Sequence, residues 1–259
     1  MRNLFSCSLW GDEAFSAVLA QRRFWPMLKI VVNDTSPPLM YFIMWGWFKI
    51  FGSSEISIRS LALLFYLGTI VVIYLIGQEL FNKKVGVVAA LLSFFNPFLF
   101  PYAFEGRMYF TLLFFITLSF YFLIREKKWG YILSITAALY SHHFAILVLV
   151  PQFFWQFLKS GKINFLTFKK IVKKYLLIGL LYVPWLYPLY LQTRKVAGDF
   201  WLGTPTIKEL VGLYLHFLFY KIVYPIQKTV PVLAALILII KKWRKEKLKA
   251  DSLLLLWAI

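Results

Sequence analysis

The sequence predicts an all-α polytopic membrane protein, and three observations lead there. Of 259 residues, 61% are hydrophobic and only 15% are charged, against about 25% charged in soluble domains. Apolar runs long enough to cross a bilayer recur along the chain, and short basic loops separate them. Most of the acids lie away from those loops. An ordinary soluble enzyme is excluded, and so is a disordered chain, because so much apolar surface has too little polar surface to hide it. In a soluble protein the formal net charge of +18 would suggest a nucleic-acid partner. In a membrane protein, Lys and Arg gather in cytoplasmic loops that face anionic headgroups, so membrane lipids are the expected partners and nucleic acid is not. The single cysteine, Cys7, allows neither an intramolecular disulfide nor a thiolate metal cluster. The first ten residues hold one Arg and no continuous apolar run, unlike a signal peptide.

Four basic clusters orient the chain: Lys83-Lys84, 125–128, 159–174 and 241–249, which hold 17 of the 29 basic residues. All four are placed in the cytoplasm. Seven of the eleven acids (Asp12, Glu13, Asp34, Glu55, Glu105, Asp199, Glu209) then face outward. The segment 37–51 is apolar enough to cross, but a crossing there would put Lys83-Lys84 outside. It is expected to lie on the outer surface, its aromatics in the interface and Gly52-Ser53-Ser54 at its end. Spans are expected at 57–81 inward, 85–102 outward, 109–124 inward and 171–192 outward. Between the last two, 129–158 reads as two short helices meeting near the outer side, where Ser141-His142-His143 interrupts the apolar run. Pro205 and Thr206, with Glu209 in the first turn, start a second outer surface helix at 206–220, and another inward span follows at 223–240. The apolar run 252–259 is too short for ~30 Å of hydrocarbon. The whole of 1–259 is expected to be one transmembrane domain, in which 1–56 is an outer loop with an interfacial helix and 57–259 the spanning helices.

Polar groups gather at the outer ends of these spans: Asp12-Glu13, Asp34-Thr35-Ser36, Glu105-Gly106-Arg107, His142-His143 and Arg194-Lys195. Ionisable groups at a membrane are costly, so their convergence on one face reads as a functional site. The plainer alternative is that outer loops are wet and charges live there.

Motif order favours a site. Ser8 to Ser16 (SLWGDEAFS) resembles the first outer loop of polyprenyl-phosphate-dependent glycosyltransferases of the GT-C class, in the protein mannosyltransferase-like branch (glycosyltransferase family 39). Asp34-Thr35-Ser36-Pro37-Pro38-Leu39 resembles the PPL turn before the interfacial helix, and Phe51-Gly52-Ser53-Ser54-Glu55 through Arg59 the FGxSE...R stretch. Glu105-Gly106-Arg107-Met108-Tyr109 resembles the E-x-R-x-Y element, and Leu139 to Phe144 the LYTHYF turn. Tyr182-Val183-Pro184-Trp185 and Phe200-Trp201 have counterparts, so the likeness covers roughly residues 8 to 220. Gly106 stands where the family commonly has Ala, a change expected to matter little. Family members usually begin with a spanning helix ahead of the Asp-Glu loop and carry further spans at the end, so the chain is expected to be a fragment of a GT-C-type bundle lacking its first and last spanning helices.

The resemblance implies a membrane glycosyltransferase that moves a hexose or pentose, with inversion, from a polyprenyl-phosphate donor to a protein, lipid or glycan acceptor. It implies a multi-pass protein of the plasma (inner) membrane with its active site on the outer, periplasmic side. It also places the catalytic carboxylate at Asp12, and the chemistry agrees, because a base must take the acceptor hydroxyl's proton as C1 becomes oxocarbenium-like. Glu13, about 100° away on a helix, suits orienting a neighbour. Glu105 is a second supporting carboxylate. The leaving phosphate needs fixed cations, for which Arg107 is the best placed and Arg59 a second candidate. His142 and His143 are candidates for the same phosphate or the sugar, while Asp34, Pro37, Pro38 and Tyr109 shape the site. No cofactor is assigned. Adjacent histidines diverge and so poorly ligate one ion, and a divalent metal stays open because members of the class differ in their need for one. Plainer readings stand beside these: Asp12 capping a helix, Arg107 and Arg59 snorkelling, the histidines bonding within a turn. At the level of the whole protein, a transporter or flippase is the alternative, although such proteins place ionisable groups near mid-bilayer and this chain places them at one rim. A non-catalytic membrane subunit is the third reading.

Overall fold

The computed structural model describes residues 8–160, 165–199 and 206–212. All regular structure among them is helical: α1 Gly11–Ala20, α2 Phe24–Val32, α3 Leu39–Phe51, α4 Glu55–Leu80, α5 Lys83–Phe94, α6 Leu99–Tyr102, α7 Tyr109–Ile124, α8 Lys128–Ser141, α9 Ala145–Ser160, α10 Phe165–Tyr182, a 3₁₀ turn Val183–Trp185 and α11 Leu186–Asp199. Two runs are long and apolar enough to cross a membrane, Glu55–Leu80 and Phe165–Gly198. Three shorter apolar helices accompany them, Leu39–Phe51, Tyr109–Ile124 and Ala145–Ser160. The chain divides into two units, Met1–Lys195 and Val196–Ile259.

Side-chain caps set two of the helix starts. Ser54 caps α4 by accepting the Ser57 N–H at 3.2 Å, and Asn82 caps α5 by accepting the Val85 N–H at 3.0 Å. Helix α3 occupies the expected surface-helix segment and stops before Gly52. Helices α8 and α9 meet at His142, as the break in the apolar run suggested. In the second unit, Thr206 and Glu209 form a reciprocal cap ahead of the helical residues 207–212: the Thr206 N–H donates to Glu209 Oε2 at 2.7 Å, and the Glu209 N–H to Thr206 Oγ1 at 3.3 Å. The rest of the expected helix 206–220, the expected span 223–240, the basic cluster 241–249 and the run 252–259 lie outside the described residues.

Three expected segments are refined. The span at 85–102 is not continuous, because α5 ends at Phe94. Pro97 has no N–H to give, and Asn96 Oδ1 accepts from the Phe98 and Leu99 N–H groups (2.8 and 3.3 Å), starting the separate helix α6. The stretch 171–192 is also interrupted, by the 3₁₀ turn at Pro184. Residues 11–32, within the expected outer segment 1–56, fold into α1 and α2.

In the first unit α4 packs on α5 and α7, α7 on α8, and α8 on α10, while α1 lies on α3. The α4–α5 crossing is backbone to backbone: a Cβ on Gly77 would sit 2.8 Å from Gly86 Cα, the small-residue contact that lets apolar helices approach closely. One core joins Ala17 and Ala20 of α1, Met40 and Met44 of α3, Ile58 and Leu61 of α4, and Met108. It fixes the start of α1 against the loop that leads into α7.

Candidate active site

Helix α1 begins with two adjacent acids whose side chains part company. Asp12 and Glu13 sit in its first turn, where negative charge suits the helix dipole. Neighbours on a helix diverge by about 100°, and here one turns to solvent and the other to the core. Glu13 is 2% exposed. Its Oε1 accepts the Gly106 N–H at 2.7 Å, and its Oε2 pairs with Arg59 Nη2 at 3.5 Å and accepts the Trp10 N–H at 3.4 Å. Arg59 is itself 3% exposed and also donates to the Ser8 carbonyl at 3.3 Å. The buried pair therefore ties the start of α1 to α4 and to the 105–107 loop.

The Asp12 side chain is 55% exposed, facing an Arg107 side chain that is 11% exposed, at 3.6 Å. Arg107 Nη1 donates to Ser16 Oγ at 2.8 Å and to the Asp12 carbonyl at 3.3 Å, while Ser16 Oγ donates to the same carbonyl at 2.9 Å. Its Nε is buried and has no hydrogen-bond partner among the described residues. The guanidinium is thus held in place with donor capacity left over.

Around this pair stand Glu105, Tyr109, Tyr41 and His142. Burial first, and then the charge of Glu13, holds the Glu105 carboxyl above its ordinary range, with Arg107 opposing. Tyr109 lies close to Glu105, Arg107 and Asp12. The Tyr41 hydroxyl donates to Asp34 Oδ2 at 3.1 Å. Burial and the Asp34 charge push that phenol up to about 12, which keeps its proton in place. His142 Nδ1 accepts the Phe144 N–H at 3.1 Å, so the neutral ring carries its proton on Nε2. Burial, with His143 and Arg107 adding to it, lowers its pKa.

His143 is engaged elsewhere. Gln192 Nε2 donates to the Val31 and Ser36 carbonyls (2.9 and 3.3 Å), which leaves Gln192 Oε1 as acceptor for His143 Nε2 at 2.9 Å. The neutral ring then accepts from the Tyr182 hydroxyl through Nδ1 at 3.3 Å. This network pins the 34–38 turn, with buried Pro37 and Pro38, to the α8–α9 turn and α11. Of the residues singled out from the sequence, Asp12, Glu105, Tyr109 and His142 gather about Arg107, while Glu13, Arg59 and His143 belong to the buried frame that holds it.

Gly106 carries a correction. A Cβ there would lie 2.2 Å from Ile58 Cγ2, so the glycine is demanded by its packing and is no minor variation. Trp10, Ser16, Tyr41 and Gln192 were overlooked. Ser16 was detectable, being four residues after Asp12 on the same helix face. Gln192 was not, because its partners lie 49 to 161 residues away.

Among the described residues no three His, Cys, Asp or Glu side chains converge as metal ligands. The chain matches the dolichyl-phosphate-mannose-protein mannosyltransferase family over residues 35–187, more than half its length. The chain belongs to that family. As a member it is a membrane glycosyltransferase of the GT-C type, mannosyltransferase-like, in a family whose members use a lipid-linked sugar donor and a glycosylation acceptor. The family match contains Arg59, Glu105, Arg107, Tyr109 and the histidine pair; Asp12, Glu13 and Asp34 precede it. No curated protein and no solved structure matches the chain.

Proposed function

We propose that this glycosyltransferase moves a hexose or pentose from a polyprenyl-phosphate donor to an acceptor hydroxyl, with inversion, on the outer face of the plasma membrane. The observation that carries the reading is the Asp12–Arg107 pair, one open carboxylate beside one nearly buried, fixed guanidinium. Asp12 takes the acceptor's proton as the acceptor oxygen bonds to C1, and the bond from C1 to the phosphate oxygen breaks. The polyprenyl phosphate leaves with the electron pair, its charge met by the Arg107 fork and by the His142 Nε2–H. Glu13 and Arg59 are positioning residues, holding the 105–107 loop against α1.

The test is transfer of label from a polyprenyl-phosphate mannose, or a related donor, by membranes carrying the full protein. Asp12→Asn is expected to lower transfer about 10²- to 10⁴-fold with an unchanged melting temperature. Undiminished transfer by Asp12→Asn would remove Asp12 from the role. No donor consumption by folded wild type across a donor panel would reject the polyprenyl-phosphate donor.

A further inference from the structure

The other ends of α7 and α8 enclose a second feature that sugar transfer does not use. A cavity of about 380 Å³ lies where α7, α8, α9 and α10 come together, a size suited to a small ligand. Five lysines line it, Lys127, Lys128, Lys159, Lys170 and Lys174, against one carboxylate, Glu126. Glu126 is spent on Lys159 at 2.7 Å, and Lys174 donates to Gln156 Oε1 at 2.7 Å. The Lys127 and Lys170 ammonium groups have neither an ion pair nor a hydrogen bond among the described residues, so the cavity keeps a large positive excess. Trp155 also lines it, and on this residue, 2% exposed, the indole N–H has no acceptor among the described residues. Glu126 itself adopts a left-handed φ of 57°, a conformation unfavourable for a non-glycine residue.

Position and surroundings select the ligand. α7 has 16 residues, so the cavity is ~24 Å from the Arg107 end of the helix, near the far boundary of an apolar layer. Leu158, Phe165 and Phe168, on the helices that form it, are 59%, 80% and 46% exposed. Lysine ammonium groups above an exposed apolar surface match a phosphate headgroup whose acyl chains run down the outside of the helices. We infer that this cavity holds the phosphate headgroup of an anionic phospholipid, with Lys170 and Lys174 as the main cations and the Trp155 N–H as a further donor.

The experiment is native mass spectrometry of the full protein in neutral detergent with equal dioleoyl-phosphatidylglycerol and dioleoyl-phosphatidylcholine. The wild type is expected to retain phosphatidylglycerol over phosphatidylcholine by about fivefold or more, since each lysine near an anionic headgroup contributes on the order of a fivefold factor. Lys170→Gln with Lys174→Gln should bring the preference to about twofold or less. Trp155→Phe, which keeps the packing, should lower retention of both lipids about threefold and leave the preference unchanged, because both carry the phosphate that the N–H serves. Lys83→Gln with Lys84→Gln, a basic pair outside the cavity, should leave it unchanged. Equal retention of the two lipids by the wild type would overturn the assignment, and so would an equal loss in the Lys83/Lys84 variant, which would mean diffuse attraction. Displacement of the lipid by an equal concentration of inorganic phosphate would make this a soluble-anion site and overturn it as well.

Discussion

Helices α7 and α8 run between two charged clusters that are built on opposite principles. At the Arg107 end, acids and arginines are paired atom by atom. Glu13 reaches three partners, and Arg107 is braced by Ser16 and the Asp12 backbone. Asp12 alone among the carboxylates of that pairing turns its side chain largely to solvent. At the lysine end one carboxylate, paired with Lys159, stands among five ammonium groups, and the cavity between them is open. A cluster that performs chemistry needs its groups held to fractions of an ångström, whereas one that attracts a headgroup needs only an excess of charge. Substitutions should therefore cost folding stability at the first end and lipid preference at the second.

The largest stability effect should come from Glu13→Ala, which removes the carboxylate paired with the buried Arg59. Removing one partner of a buried pair costs about 3–5 kcal/mol, read as a fall in melting temperature of the full protein. A fall no larger than that caused by Lys170→Gln would break the contrast between the two ends. Gly106→Ala comes next, at about 1–3 kcal/mol for overpacking. Ile58→Leu, which removes the Cγ2 branch, should restore part of that loss, and an unchanged melting temperature in Gly106→Ala would show that the loop has room.

The pH response should be smaller and of two signs. Burial lowers the His143 pKa below its ordinary 6.5, with the Gln192 hydrogen bond opposing it. The stability this provides is complete above that value and lost as pH falls through the lowered one. Melting curves of wild type should drop on acidification through this window, and those of His143→Gln should flatten. Glu105 is the reverse. Its pKa is raised above 4.5, so its contribution is present below that value and lost as pH rises through the raised one. Glu105→Gln should melt slightly higher than wild type at pH 8, with the gap closing on acidification; a gap that widens would contradict the raised pKa.

Local patterns revealed much of this fold and only part of the site. Both bounds of α7 and the end of α3 before Gly52 are visible in the apolar runs and their breakers. The break at Pro97 was missed because an apolar run reports hydrophobicity, while a helix end is set by the donor that proline lacks and by the Asn96 side chain. In the site, the divergence of Asp12 and Glu13 follows from helix geometry. The need for Gly106 does not, because Ile58 meets it only after α4 folds against the 105–107 loop. Gln192 escaped notice for the same reason: every partner that gives it a role is distant in the chain.

The division of labour between two adjacent acids is the central claim, and one paired measurement tests it. Sugar transfer and melting temperature are recorded together for Asp12→Asn and Glu13→Gln in the full protein. The expected result is that Asp12→Asn melts like wild type and loses transfer about 10²- to 10⁴-fold, while Glu13→Gln melts lower and retains more transfer than Asp12→Asn wherever it remains folded. Full transfer by Asp12→Asn, or a stable Glu13→Gln protein that transfers no sugar, would contradict it.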